Sequence, residues 1–123
     1  MKSLLFIGGF YHLALFAFHL FFWKLFDWKR DLGCLKSVNR GIVQILNLRL
    51  MWVFLVVAHV SFFHADALLT TALGKTILIS TALFWLMRAV EQIVFFKLKS
   101  AISAAFFVVF LLGALIYSSP FLF

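Results

Sequence analysis

Acidic side chains are nearly missing from this chain: of its 123 residues only four are acidic, and three of those, Asp27, Asp31 and Asp66, fall outside the apolar runs while Glu91 lies inside one. Catalysis by paired general acid and base carboxylates therefore has almost no material to work with. Cysteine is scarcer still. The single Cys34 excludes an internal disulfide and any Cys-x-x-Cys redox or metal motif. No nucleophilic triad and no phosphate-binding loop can be assembled from the remaining residues. The ten-residue alternation of a membrane β-barrel is missing as well, and so are low-complexity tracts and a convincing internal repeat.

What the chain has instead is apolar length. Hydrophobic residues make up 66% of it and charged residues 12%, with a mean hydropathy of +1.14. No soluble domain hides that much apolar surface. Four runs, at about 4–23, 41–63, 68–96 and 101–122, each approach or exceed the ~20 residues that cross a hydrocarbon core. The predicted fold is all-α: a polytopic membrane protein, one four-transmembrane-helix bundle over residues 1–123 with short loops. The third run is longer than a span requires, so residues 67–75 are expected to form an interfacial turn that places Lys75 at the surface. The first run reads as a retained helix, since Trp23-Lys24 follows it without a small-x-small cleavage site.

The formal net charge of +7 reports topology rather than nucleic-acid binding, because the basic residues interleave with the spans. Lys24, Lys29, Arg30, Lys36 and Arg40 fall in the stretch 24–40, and Lys97 and Lys99 in 97–100. The positive-inside rule makes both stretches cytoplasmic and both termini external, in a membrane of the bacterial inner (cytoplasmic) type. Trp23 and Trp28 suit the aromatic belt, and the residues after the first helix are expected to lie along the bilayer as its amphipathic extension. Ser37 or Asn39 is the expected N-cap of the second helix.

Polar residues inside the spans supply the candidate sites. Gln44, Asn47 and Arg49 on the second helix, with Arg88, Glu91 and Gln92 on the third, are expected to form one buried layer between those helices. In the second helix Arg40, Gln44 and Asn47 share a stripe and Arg49 points away; in the third, Thr81, Arg88 and Gln92 share a face. Glu91 paired with Arg49 or Arg88 would lock the register. Alternatively, the surplus of arginine would receive an anion. His12 and His19, seven residues apart, line one face of the first helix. With His59 on the second they are candidate ligands of a haem b. His59, His64 and Asp66 form a candidate metal group at the external turn. The fourth helix, with its small residues, reads as a packing helix.

The general layout and the His12/Trp23 region resemble small four-helix membrane haem-handling proteins of the protoporphyrinogen-oxidase type; the likeness extends to no longer motif, and no residue takes a role from it. Three functions are compatible with the sequence. The first is a non-catalytic accessory or interaction subunit, surrounded by the lipid bilayer and pairing with partner membrane helices or copies of itself. The second is a haem- or quinone-linked redox protein using His12, His19 and His59. The third is a transporter or lipid-binding protein with an anion site at Arg49 and Arg88.

Overall fold

The structure is a computed structural model that describes residues 2–122. Helix α1 runs Lys2–Leu20, followed by two single-turn helices, α2 (Phe22–Leu25) and α3 (Trp28–Asp31), and a 3-10 turn at Leu32–Cys34. Helix α4 spans Ser37–Phe63, α5 Ala65–Thr70, α6 Ala72–Glu91 with a π-helical turn at Gln92–Phe96, and α7 Ala101–Leu122. Among the described residues all regular structure is helical, and four helices are long and apolar enough to cross a membrane. The fourth span, 101–122, falls where hydropathy puts it. The other boundaries move, each for a local reason.

The first span ends at Leu20 rather than Trp23. Beyond it the expected amphipathic extension is interrupted twice, at Phe21 and at Asp27, whose φ of 51° is left-handed. Helix α4 starts at Ser37, four residues before Gly41. Its N-cap is Lys36, without a side-chain cap, rather than Ser37 or Asn39. Arg40 instead ties down the preceding turn: its Nε donates to the Leu32 carbonyl (2.9 Å) and its Nη2 to the Leu35 carbonyl (3.0 Å), holding that turn against the helix. Gly41, just inside α4, has no atom within 4 Å of where a Cβ would sit. Gly41→Ala is therefore expected to stabilise the fold by about 0.5–1 kcal/mol through helix propensity alone, read as a raised midpoint of thermal unfolding in detergent.

Residues 67–75 are neither one helix nor a plain turn. Helix α5 ends at Thr70, Thr71 is extended (φ −107°, ψ 155°), and α6 begins at Ala72. Thr71 serves both sides of the break, its hydroxyl donating to the Ala67 carbonyl (2.7 Å) and accepting from the Gly74 N–H (2.9 Å). This is an N-cap that also closes the helix before it. Lys75 is exposed in the first turn of α6. Near the other terminus, Pro120 sits inside α7. Proline has no N–H to give to the carbonyl four residues back. Ser119 Oγ donates to that carbonyl, on Ile116, at 2.7 Å.

Around the bundle α4 packs on α1, α1 on α7 and α7 on α6, whereas α4 and α6 barely approach each other. Helix α5 bridges α4 and α6 at one end, the far end. The basic residues of 24–40 and 97–100 gather at the other, the basic end. Two core clusters follow from this order. Leu5, Ala65, Leu68, Leu78 and Tyr117 fill the far end. Leu15, Phe54, Trp85, Ala89 and Phe110 fill the middle. Many other large apolar side chains are exposed, Phe10, Phe63, Leu73 and Phe95 among them.

Candidate functional site

The most polar point of the interior is built on His12. Gly8, one turn before it, lets the Tyr117 ring from α7 press against α1, for a Cβ there would lie 2.6 Å from the Tyr117 hydroxyl oxygen. His12 is 1% exposed and bonded at both ring nitrogens. The Trp85 indole N–H, which can only donate, reaches His12 Nε2 at 3.0 Å. Nε2 must then be the bare nitrogen. The proton is on Nδ1, where it is donated to the Gly8 carbonyl (2.9 Å) with the Tyr117 oxygen also in reach (3.2 Å). The Tyr117 and Ser61 hydroxyls share a hydrogen bond of 2.7 Å. One chain of hydrogen bonds thus joins all four long helices. Nitrogen-15 NMR of the labelled ring is expected to show the Nδ1–H tautomer, with Nε2 unprotonated; an Nε2–H resonance would contradict the assignment.

Around this chain the rings stack. Trp85 lies between Phe54 (centroids 5.6 Å, 20°) and Phe110 (5.7 Å, 9°), with Tyr11 edge-on at 5.3 Å. The Tyr11 hydroxyl donates to the Val109 carbonyl at 2.8 Å, tying α1 to α7 a second time. Helix α7 is more than a packing element, since it contributes Tyr117. Trp85, Tyr117 and Ser61 were not among the sequence candidates; the available signal was a tyrosine and a serine within otherwise apolar spans.

The six residues expected to form one layer between α4 and α6 are divided. Gln44 donates within its own helix, to the Arg40 carbonyl at 3.1 Å. Asn47 turns toward α1, its Nδ2 lying 3.5 Å from the His19 carbonyl. Arg49 is exposed on the other side of α4. Gln92 is buried and turns toward α7, donating to Ser103 Oγ at 2.9 Å. Glu91 is exposed, and no ion pair joins it to Arg49 or Arg88 among the described residues. Arg88 lies half-buried over the Phe110 ring, 4.4 Å from its centroid. The expected α4–α6 register lock is not formed, because α1 and α7 take the places beside those helices.

The histidines are also separated. His19 is half-buried, donates from Nδ1 to the Leu15 carbonyl (2.8 Å) and stacks on Phe22 at 4.2 Å. The Phe54 ring touches both His12 and His19. His59 is exposed against Phe63 and His64. A haem axial ligand needs a free imidazole lone pair. The His12 Nε2 lone pair is taken by Trp85, and His59 does not share the buried site. Asp66 pairs with Lys2 at 2.7 Å. Among the described residues no three His, Cys, Asp or Glu side chains gather into a group able to hold a metal ion, the His59, His64 and Asp66 set included.

Between α4 and α6, which barely approach each other, lies a groove about 230 Å³ in volume and almost wholly apolar. Val53 and Val57 of α4 form one wall, Ile77 and Phe84 of α6 the other, and His12 of α1 lies at the back. Thr76 and Ser80, one turn apart on α6 and both exposed, line its mouth. Chemically the groove offers an apolar shape, a few hydroxyls and the edge of the His12 ring, whose Nε2 is held by Trp85. No protein-family model matches this chain, and no curated protein and no solved structure shows significant similarity to it, so its function rests on its own geometry.

Proposed function

We propose that the protein is a multi-pass integral membrane protein without catalytic machinery, an interaction subunit whose working surface is the α4–α6 groove and whose occupant is an apolar transmembrane helix of a partner. In this reading the basic stretches 24–40 and 97–100 face the cytoplasm of a bacterial-type inner membrane, with both termini and α5 on the outside. The observation that carries it is the apolar groove between α4 and α6. Small side chains four residues apart let helix backbones come close, and Thr76 and Ser80 provide that spacing at the groove mouth. The valine wall opposite suits side chains inserted from a helix.

A photoreactive residue placed at position 80, with a second variant labelled at the outward-facing Val108 of α7 as control, tests this in native membranes. One discrete protein adduct at 80 and none at 108 is the expected result. An adduct of twice the chain mass identifies the partner as a second copy. Adducts to lipid alone at 80 would overturn the reading.

A lipid-soluble redox cofactor held by His12, with His19 and His59, is a second reading, favoured by one observation: the His12 ring reaches the groove. It requires Trp85 to release Nε2. The purified protein is expected to show no Soret band; a stoichiometric one, or a co-purifying quinone, would establish this reading over the first.

A further inference from the structure

We propose that Arg88 is the anchor of a lipid site, in which its guanidinium binds the headgroup phosphate of an anionic phospholipid from the leaflet at the basic end. The inference is independent of the groove. A guanidinium carries five N–H donors and no acceptor, and at membrane depth an ionised group is found paired or facing a functional site. Among the described residues Arg88 has neither an ion pair nor a hydrogen bond, and the rings of Phe96 and Phe110 lie beside its charge. Those rings satisfy the charge in part and the donors not at all.

The placement of the guanidinium points to where the acceptor comes from. It lies 4.4 Å from the centroid of Phe110, which is buried, and 5.9 Å from that of Phe96, which is 63% exposed. It therefore stands on the border between the core and the outside. Phe96 is two turns further along α6, so the side chain extends toward the basic end and away from the groove.

Phe96 closes the π-helical turn and is followed by Lys97, whose left-handed φ of 61° starts the α6–α7 connection with Lys99 beyond it. That connection is a built feature. Gln92 donates to Ser103 Oγ, Ser103 Oγ to the Lys97 carbonyl, and the Ser103 N–H to Ser100 Oγ (3.1 Å).

Three cations, Arg88, Lys97 and Lys99, lie within residues 88–99, against one carboxylate, Glu91. On the side of Arg88 away from the basic end, Leu83 (49%) and Met87 (57%), one turn apart on α6, are apolar and exposed. A cationic rim above an exposed apolar strip matches a phospholipid, with phosphate on arginine and acyl chains on the strip. Arginine meets phosphate through two parallel N–H···O bonds. The two lysines at headgroup height favour a lipid with net negative charge. A carboxylate from a partner helix would satisfy the guanidinium but would leave the lysine rim unused.

Native mass spectrometry of detergent-purified protein tests the proposal by titration with phosphatidylglycerol, phosphatidylcholine or inorganic phosphate. One phosphatidylglycerol per chain is expected, at least tenfold tighter than phosphatidylcholine and with no comparable uptake of phosphate. Arg88→Gln should weaken it tenfold or more, while Arg49→Gln, an exposed arginine elsewhere on the bundle, should leave it unchanged. Equal binding by Arg88→Gln, or Arg88-dependent binding of inorganic phosphate as tight as the lipid, would overturn the proposal. Should Arg88→Gln not fold, the exposed pair Lys97→Gln/Lys99→Gln decides: at least threefold weaker phosphatidylglycerol binding supports the site, and unchanged binding removes it.

Discussion

Trp85→Ala is expected to lower the unfolding free energy by about 3 kcal/mol. In a bilayer the transfer part of that cost is small, because lipid tails are as apolar as the core. The cavity part stays. Trp85 is 2% exposed, lies between Phe54 and Phe110, meets Tyr11 edge-on, and gives its N–H to His12. Truncation empties the middle of the bundle, where three helices meet through this ring, and leaves His12 Nε2 without its donor. Trp85→Phe separates the two losses. It keeps an apolar ring in the stack while removing the N–H and part of the ring volume, for an expected cost of about 1–2 kcal/mol. Trp52, 60% exposed on α4, is the control, and Trp52→Ala should change little. Reversible unfolding in mixed micelles, followed by circular dichroism, measures all three. If Trp85→Ala and Trp52→Ala cost the same, Trp85 is not the centre of the fold.

Gly74→Ala should destabilise by about 2 kcal/mol although helix propensity favours alanine. A Cβ on Gly74 would run into the Ala67 carbonyl oxygen and the Leu68 Cα. Both are backbone atoms of α5, and no rotamer change moves them aside. The short helix would have to lift off α6, undoing the contact that buries Leu68 against Leu78. Gly41→Ala, the same change where space is open, carries the opposite sign. The pair is measured in one thermal-unfolding series. Equal signs would mean that α5 does not approach α6 as closely as described.

The two glycines show how far a one-dimensional reading goes. From hydropathy, Gly41 and Gly74 differ little, each lying near the start of an apolar run. The difference lies in what faces them. The same holds for the polar candidates. Helical spacing correctly groups Arg40, Gln44 and Asn47 on one side of α4, opposite Arg49, because the period of a helix is local geometry. It also places Thr81 and Gln92 on the inner side of α6, where both are buried. Spacing does not say which helix those faces meet, and the expected partnership of α4 with α6 gave way to Asn47 with α1 and Gln92 with α7.

The sequence by itself determined that the chain is four long apolar helices with basic connections at one end, since hydrophobic length and loop charge are sums over neighbouring residues. The order of packing was decided only by the tertiary structure. The bonds that build the interior join residues 56 to 105 positions apart: Ser61 to Tyr117, His12 to Trp85 and His12 to Tyr117. No local period reports such pairs. Each side chain reads in isolation as a polar oddity in an apolar helix, and becomes one link of a hydrogen-bonded chain when α7 brings Tyr117 against the bare backbone of Gly8.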